Sequence, residues 1–429
     1  MMFSLSRASL LAVLGCLTVL PVWSDEPSNP MVETPSAQEM WRIIQQQQRQ
    51  IEVLQRQLEA TNQKVAETGE RVAETDQKVE MAGDMIEQVA STPAAGNWAD
   101  RTSLGGYGEL HYNNLDSKEE IDFHRFVLYI NHDFTDSIRF VSELELEHSV
   151  AGDGKNGEIE LEQAYVEFDL NERNALRAGL FLVPVGILNE THEPPTFYGV
   201  ERNPVETNII PTTWWEGGAD LHGELAPGFS YNLAVSSGLD VPQSGSRAFL
   251  IRSGRSKVSE ARADDGALTG RLKWTGMPGV ELAMTGQYQS DVTQGDLNVS
   301  ATLFEAHADI RRGPFGLRAL YARWDLDKSA VIAASDPAAV GRDEQMGWYV
   351  EPSIRGRLWT IPGEFGAFVR YNVWDNNAGS SNNTEFQQYN AGFNYWPIPD
   401  VVLKFDAQQQ DNDSAKNDNG FNLGVGYQF

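Results

Sequence analysis

Phe421-Asn422-Leu423-Gly424-Val425-Gly426-Tyr427-Gln428-Phe429 alternates without a break. Phe421, Leu423, Val425, Tyr427 and Phe429 fall on one face, and Asn422, Gly424, Gly426 and Gln428 on the other. Successive side chains of an extended chain point to opposite sides, so this stretch is a strand with one apolar face and one wet face.

The same period extends back to Leu104. In 138–148, Ile138, Phe140, Leu144 and Leu146 oppose Arg139, Glu143, Glu145 and Glu147. Sixteen such segments begin near Leu104, Ile121, Ile138, Glu158, Ala175, Glu216, Phe229, Ala267, Val280, Val299, Phe315, Glu344, Phe365, Phe386, Val401 and Phe421. Tight turns such as 171–174, 226–228, 276–278, 313–314 and 397–399 alternate with long stretches at 183–215, 239–265, 290–297, 327–342, 375–384 and 411–419. A soluble β-sandwich also alternates, but it does not place short turns on one side and long loops on the other. It also does not gather aromatics such as Trp274, Trp324, Trp374, Trp396 and Tyr427 near strand ends. The pattern predicts an all-β fold: a 16-stranded antiparallel transmembrane β-barrel over residues 104–429, with short turns in the periplasm. The mean hydropathy of −0.40 does not oppose this, because alternating strands average to a polar value.

The N-terminal part reads differently. Residues 1–24 combine Arg7, an apolar run from Ala8 to Val22, and Val22 and Ser24 before a cut ahead of Asp25. That is a secretory signal peptide. Residues 25–39 are expected to be disordered. From 40 to 90, Ile44, Ile51, Leu58, Val65, Val72, Val79 and Ile86 recur every seven residues, the seam of a coiled coil. Residues 91–103 form a linker containing Ser91-Thr92-Pro93. An even strand count puts both barrel ends, and so this stalk, in the periplasm.

The 429 residues carry 33 Lys and Arg against 61 Asp and Glu, a net charge of −28. Residues 101–429 hold 47 acids and 26 bases, so most of the excess belongs to the alternating region. That balance repels phosphate backbones and excludes nucleic acid as a partner. The single cysteine, Cys16, lies in the signal. No nucleophile-elbow, phosphate-loop or zinc-protease motif occurs, and the seven histidines are scattered along the chain. No catalytic residue, cofactor or metal site is expected, and the protein is not expected to be an enzyme.

The stretch 183–215 is rich in proline and large apolar residues, among them Ile187, Phe197, Ile209, Trp214 and Trp215. Such residues need packing, which a solvated loop does not provide; an extracellular cap packed on neighbouring loops would supply it, and so would a loop folded into the barrel. It would bring Glu190, Glu193, Glu201, Arg202 and Glu206 to a constriction. Arg125, Arg139, Arg177, Arg323 and Arg370, with Glu143 and Glu145, are the wall charges expected to face it. Charge at a narrow point sets ion preference. In the next long loop, Arg247, Arg252, Arg255, Lys257 and Arg262 cluster, which suits an external anion funnel, contact with lipopolysaccharide, or solvation.

The segment GLFLVPVGILNETHEPPTFYGVERNPVETNIIPTTWWEGG, 179–218, resembles the corresponding stretch of the phosphate-selective porin O/P family, as does the layout ending in Phe. Siderophore porins with a short coiled coil are similar too. The resemblance implies a homotrimeric outer-membrane porin with this loop folded inward. The chain departs from the family's Arg and Lys ladders: its polar face carries Glu143, Glu145, Glu147, Glu158, Glu160 and Glu162. The expected function is passive diffusion of small hydrophilic solutes or ions, with cation preference or weak selectivity. Alternatives are a ligand-specific uptake channel for a siderophore or for phosphate and other anions, and an envelope tether through the stalk. Expected partners are outer-membrane lipid and lipopolysaccharide, with peptidoglycan or another periplasmic component at the stalk.

Overall fold

A computed structural model describes residues 98–150, 157–358, 360–412 and 417–429, together with Trp41, Gln45 and Gln48, which are helical. The signal peptide, the 25–39 segment and the heptad seam lie outside the described residues.

Sixteen strands follow one another: β1 (Thr102–Leu115), β2 (Glu119–Thr135), β3 (Ile138–Glu147), β4 (Ile159–Asn171), β5 (Asn174–Leu182), β6 (Trp215–Ala226), β7 (Phe229–Ser236) and β8 (Ala267–Met277), then β9 (Val280–Gln289), β10 (Ala301–Arg312), β11 (Phe315–Leu326), β12 (Glu344–Gly356), β13 (Glu364–Asp375), β14 (Phe386–Ile398), β15 (Val401–Asp411) and β16 (Gly420–Gln428). Each pairs antiparallel with its sequence neighbours, and β16 pairs with β1, so the ring is closed and no strand edge is left open. At the seam, Phe429 exchanges backbone hydrogen bonds with Gly106, each 2.9 Å long. Every strand begins within two residues of the start read from the alternation. Two connections break the expected rhythm. On the long-loop side β1 and β2 are joined by only three residues, 116–118, and on the short-turn side β12 and β13 are joined by seven, 357–363.

The outward faces carry the apolar set, as on β8 and β9 with Leu268, Leu272, Leu282 and Met284 exposed. Inward positions are polar and buried, such as Thr269 and Arg271 of β8 and Thr285 and Gln287 of β9. Two bulges re-aim single residues. Glu109 faces Arg125 while Leu110 faces Phe123, so His124 is extra on β2. Glu143 faces Gln163 while Leu144 faces Leu161, so Glu162 is extra on β4. A bulge turns its extra residue off the strict alternation.

The largest buried apolar cluster lies inside the ring. Inward positions of β10 to β13 (Leu303, Leu320, Trp324, Tyr349 and Trp374) pack with Val183, Ile187, Phe197, Ile209 and Trp214 of the third long connection and with Leu239, Phe249 and Ile251 of the fourth. This corrects the reading of the strand-end aromatics. Trp324, Trp374 and Trp396 are buried and face inward, where loop atoms cover them; Trp274 stays on the outer face against Phe229.

Candidate functional site

The third loop, residues 183–214, leaves β5 and returns into β6. Its ends are clipped together. Val183 N donates to Trp214 O at 3.0 Å, and the Asn189 side chain bonds Val183 O, Trp214 O and Trp214 N at 2.7, 2.9 and 2.7 Å. Glu206 forms its hub. This fully buried carboxylate accepts from Ile187 N at 2.7 Å, Leu188 N at 2.6 Å, Asn203 Nδ2 at 2.9 Å and Tyr349 Oη at 2.9 Å. A buried carboxylate persists only when its oxygens are saturated in this way. Glu206 therefore holds the loop's shape and does not bring charge to a passage, contrary to expectation.

From this hub the loop crosses between two unlike walls. Toward β11–β15 it presents backbone carbonyls and a ring to donors. Arg318 Nη2 donates to Thr196 O at 3.0 Å, Arg370 Nη1 to Tyr198 O at 3.3 Å, Asn394 Nδ2 to Phe197 O at 3.0 Å and Trp396 Nε1 to Pro195 O at 3.1 Å. Lys404 Nζ stands 3.5 Å from the centre of the Phe197 ring. Toward β1–β4 it meets carboxylates and imidazoles. His192 Nε2 lies 3.4 Å from Glu143 Oε1 and 3.5 Å from Glu162 Oε2, and Glu201 Oε1 lies 3.1 Å from His111 Nδ1 and 2.9 Å from Asn113 Nδ2. Burial alone would depress His192, but hydrogen bonds to Glu143 and Glu162 outweigh it and push it up to about 10. Burial would likewise raise Glu201; the bond to His111 holds it well below the usual carboxylate range.

Close approach is possible because the wall is cut back. A Cβ at Gly424 would lie 3.1 Å from Val200 Cγ1, and the small inward positions of β16 leave the loop its room.

The remaining expected charges meet opposite charges, except Glu193 and Arg202, which meet hydroxyls. Arg125 bridges Glu109 at 3.0 Å and Glu145 at 3.1 Å. Arg177 binds Asp220 at 2.9 Å and lies 3.8 Å from Glu190, which also contacts Arg271. Burial would raise Glu190, yet Arg271 and Arg177 hold it below its ordinary value. Arg370 pairs with Glu351 at 2.9 Å. Tyr129 Oη donates to Glu193 at 3.4 Å, and Arg202 Nη1 to Thr213 Oγ1 at 2.6 Å. Arg139 binds Glu167 at 2.7 Å and also Asp169, near the short-turn end and away from the loop.

Arg323 is a second correction. It shares the outer face of β11 with Leu317 and Tyr321 and pairs with Asp325 and Glu344, while Arg318 and Trp324 face inward. Both faces of β11 are largely apolar, so its alternation could not decide the side. Sequence reasoning therefore missed Arg318, together with Glu109 and Arg271, which carry no signal beyond a place on a polar face. In the fourth loop, Arg252 donates to Thr207 O and Arg255 to Thr213 O, and Lys257 reaches Glu158 at 2.8 Å and also Glu160. Burial, then the mutual repulsion of these guanidinium groups, pushes Arg252 down to about 10. These three cations of the fourth loop are turned onto other parts of the chain; Arg247 and Arg262 remain exposed.

Residues 94–429 match the family described as phosphate-selective porin O and P. An uncharacterized protein of Aquifex aeolicus (strain VF5) is 31% identical over 349 residues, covering 76% of this chain and 80% of that protein. Among solved structures, the anion-selective porin from Comamonas acidovorans superposes with a TM-score of 0.53 at 11% identity, over 76% of this chain and 99% of that one. OmpT of Vibrio cholerae, in its trimer form, gives 0.50 at 11% identity over 76% of this chain and 99% of that one.

Proposed function

This chain belongs to the phosphate-selective porin O and P family, an outer-membrane channel, and on that premise we propose that it is a passive pore for small hydrophilic solutes or ions, narrowed by its third loop. The observation that carries the reading is the loop's double anchorage, carbonyls on the cationic wall and His192 with Glu201 on the acidic one. A segment fixed on opposite walls narrows a lumen without needing a gate. Glu190, Glu193, Glu201 and Arg202 are the partly exposed charges that would meet a passing solute.

Selectivity follows from pairing, not from the count of acids. Glu109, Glu143, Glu145 and Glu162 each have a cationic or imidazole partner, so the wall's field is smaller than its composition suggests. Weak selectivity or a modest cation preference is the expected outcome, and the family's phosphate label does not fix the solute. The trimer form of OmpT supports a homotrimer. The heptad stalk at 40–90 would then project into the periplasm behind a removed signal at 1–24.

The test is conductance of the purified full-length protein in planar bilayers with ion substitution. Discrete steps with small reversal potentials support the reading. Absence of steps overturns it, and saturable binding of one solute without ion flow would favour a ligand-specific uptake channel.

A further inference from the structure

Three residues, Asp122 and His124 of β2 and His148 beyond β3, meet on the inner side of β2. His124 is the bulged residue there, turned to the same side as Arg125, and His148 follows the end of β3. Asp122 Oδ2 stands 3.2 Å from His124 Nδ1 and 2.7 Å from His148 Nδ1. One ligand atom from each of the three lies within 4.8 Å of the others.

The rings are held in place. His124 stacks on His111 with centroids 4.7 Å apart and planes at 15°, and His148 meets His124 edge-on at 5.4 Å. His148 N donates to His124 O at 3.0 Å, with His148 at φ 50°. Side-chain exposures of 25%, 21% and 38% for His124, Asp122 and His148 leave the group open to water on one side.

We infer that Asp122, His124 and His148 form a binding site for one divalent transition-metal ion of the zinc type, with water completing the shell. Ligand atoms about 2.0–2.2 Å from a tetrahedral zinc stand roughly 3.3–3.5 Å apart, so the two carboxylate–imidazole separations, 3.2 and 2.7 Å, need shifts of under about 1 Å. Two imidazoles and one carboxylate suit Zn²⁺, Co²⁺ or Ni²⁺ better than Ca²⁺ or Mg²⁺, which take oxygen shells. Binding requires a free lone pair on His124 Nδ1, which moves the ring proton to Nε2. Arg125 Nη2, now 3.0 Å from Nε2, must then turn aside while Glu109 and Glu145 keep the rest of the guanidinium. Among the described residues, the two other carboxylate clusters are already engaged: His192 fills Glu143 and Glu162, and Lys257 reaches Glu160.

The experiment is calorimetric titration of ZnCl₂ into full-length, tag-free protein in detergent, repeated with His148→Ala, Asp122→Asn and, as control, His222→Gln. One ion per chain is expected, with affinity falling more than about tenfold in H148A and D122N and unchanged in H222Q. A readout that needs no variant is the visible spectrum of added Co²⁺, which should gain the intense bands of four- or five-coordination. No saturation at millimolar Zn²⁺, undiminished binding by H148A, or an unchanged aqueous Co²⁺ spectrum would each overturn the site.

Discussion

Pro194 of the third loop occupies the space that a side chain at Gly426 of β16 would need: a Cβ there would stand 2.3 Å from Pro194 Cβ. The loop and the wall are thus fitted at the level of single atoms, and the fit can be disturbed from the wall side without touching a charge.

Gly426→Ala should push the loop off β16. Overpacking of this kind costs about 1–3 kcal/mol. The expected result is an altered, noisier single-channel conductance with an intact barrel, checked by bilayer recording alongside heat-modified gel migration. An unchanged conductance would show that the loop does not set the passage.

His192 should make the loop sensitive to alkali. Its imidazole is raised to about 10 from an ordinary value near 6.5. A raised value means stabilisation that is complete below about pH 6.5 and disappears as pH climbs through about 10. Loop release near pH 10, followed by protease sensitivity within 183–214, is the expected outcome. His192→Ala should release the loop at neutral pH, with a cost of about 3–5 kcal/mol from the stranded carboxylates.

Glu206→Ala removes the acceptor of four donors at once. Each buried donor left without a partner costs about 1–3 kcal/mol. The third loop should lose its fold while the strand ring persists, seen as a changed environment for the buried Trp214 in fluorescence and an unchanged far-ultraviolet dichroism.

Arg318 and Arg323 lie on opposite faces of β11 and should behave oppositely. Arg318→Ala removes an inward cation and leaves Asp309, its partner at 2.9 Å, only the exposed Arg311 at 3.1 Å, and should move the reversal potential toward cation preference. Arg323→Ala should leave selectivity unchanged. A shift caused by R323A and not by R318A would reverse the facing assigned here.

Deleting residues 40–90 tests the stalk. Loss of the oligomer on native gels is expected, with conductance retained by the separated barrels. An intact oligomer together with a weakened envelope would instead support a tether.

The barrel was legible because an apolar–polar period of two and a rhythm of long and short connections leave few other architectures. The proline and aromatic content of 183–214 called for packing but left an inward loop and an extracellular cap both open. What escaped depended on departures from the period. Strict alternation puts Asp122 and His124 on the face opposite Arg125, which was read as inward, and only the bulge against Glu109 lets all three face inward, where His148 meets them. Glu206 looked like a free charge because nothing in its neighbours announces that two backbone amides and Tyr349 will converge on it. Gly424 and Gly426 counted only as the polar face, whereas their use is the space they leave for Val200 and Pro194.

The apolar cluster enclosed by β10 to β13 has a thermodynamic consequence. The outer faces of the strands trade with lipid, but Leu320, Trp324, Ile209, Trp214 and Phe249 were withdrawn from water. Only the second kind of burial carries the large heat-capacity change of hydration. The interior should therefore melt with the curved stability of a water-soluble domain and weaken on cooling, inside a ring whose own strength follows the bilayer.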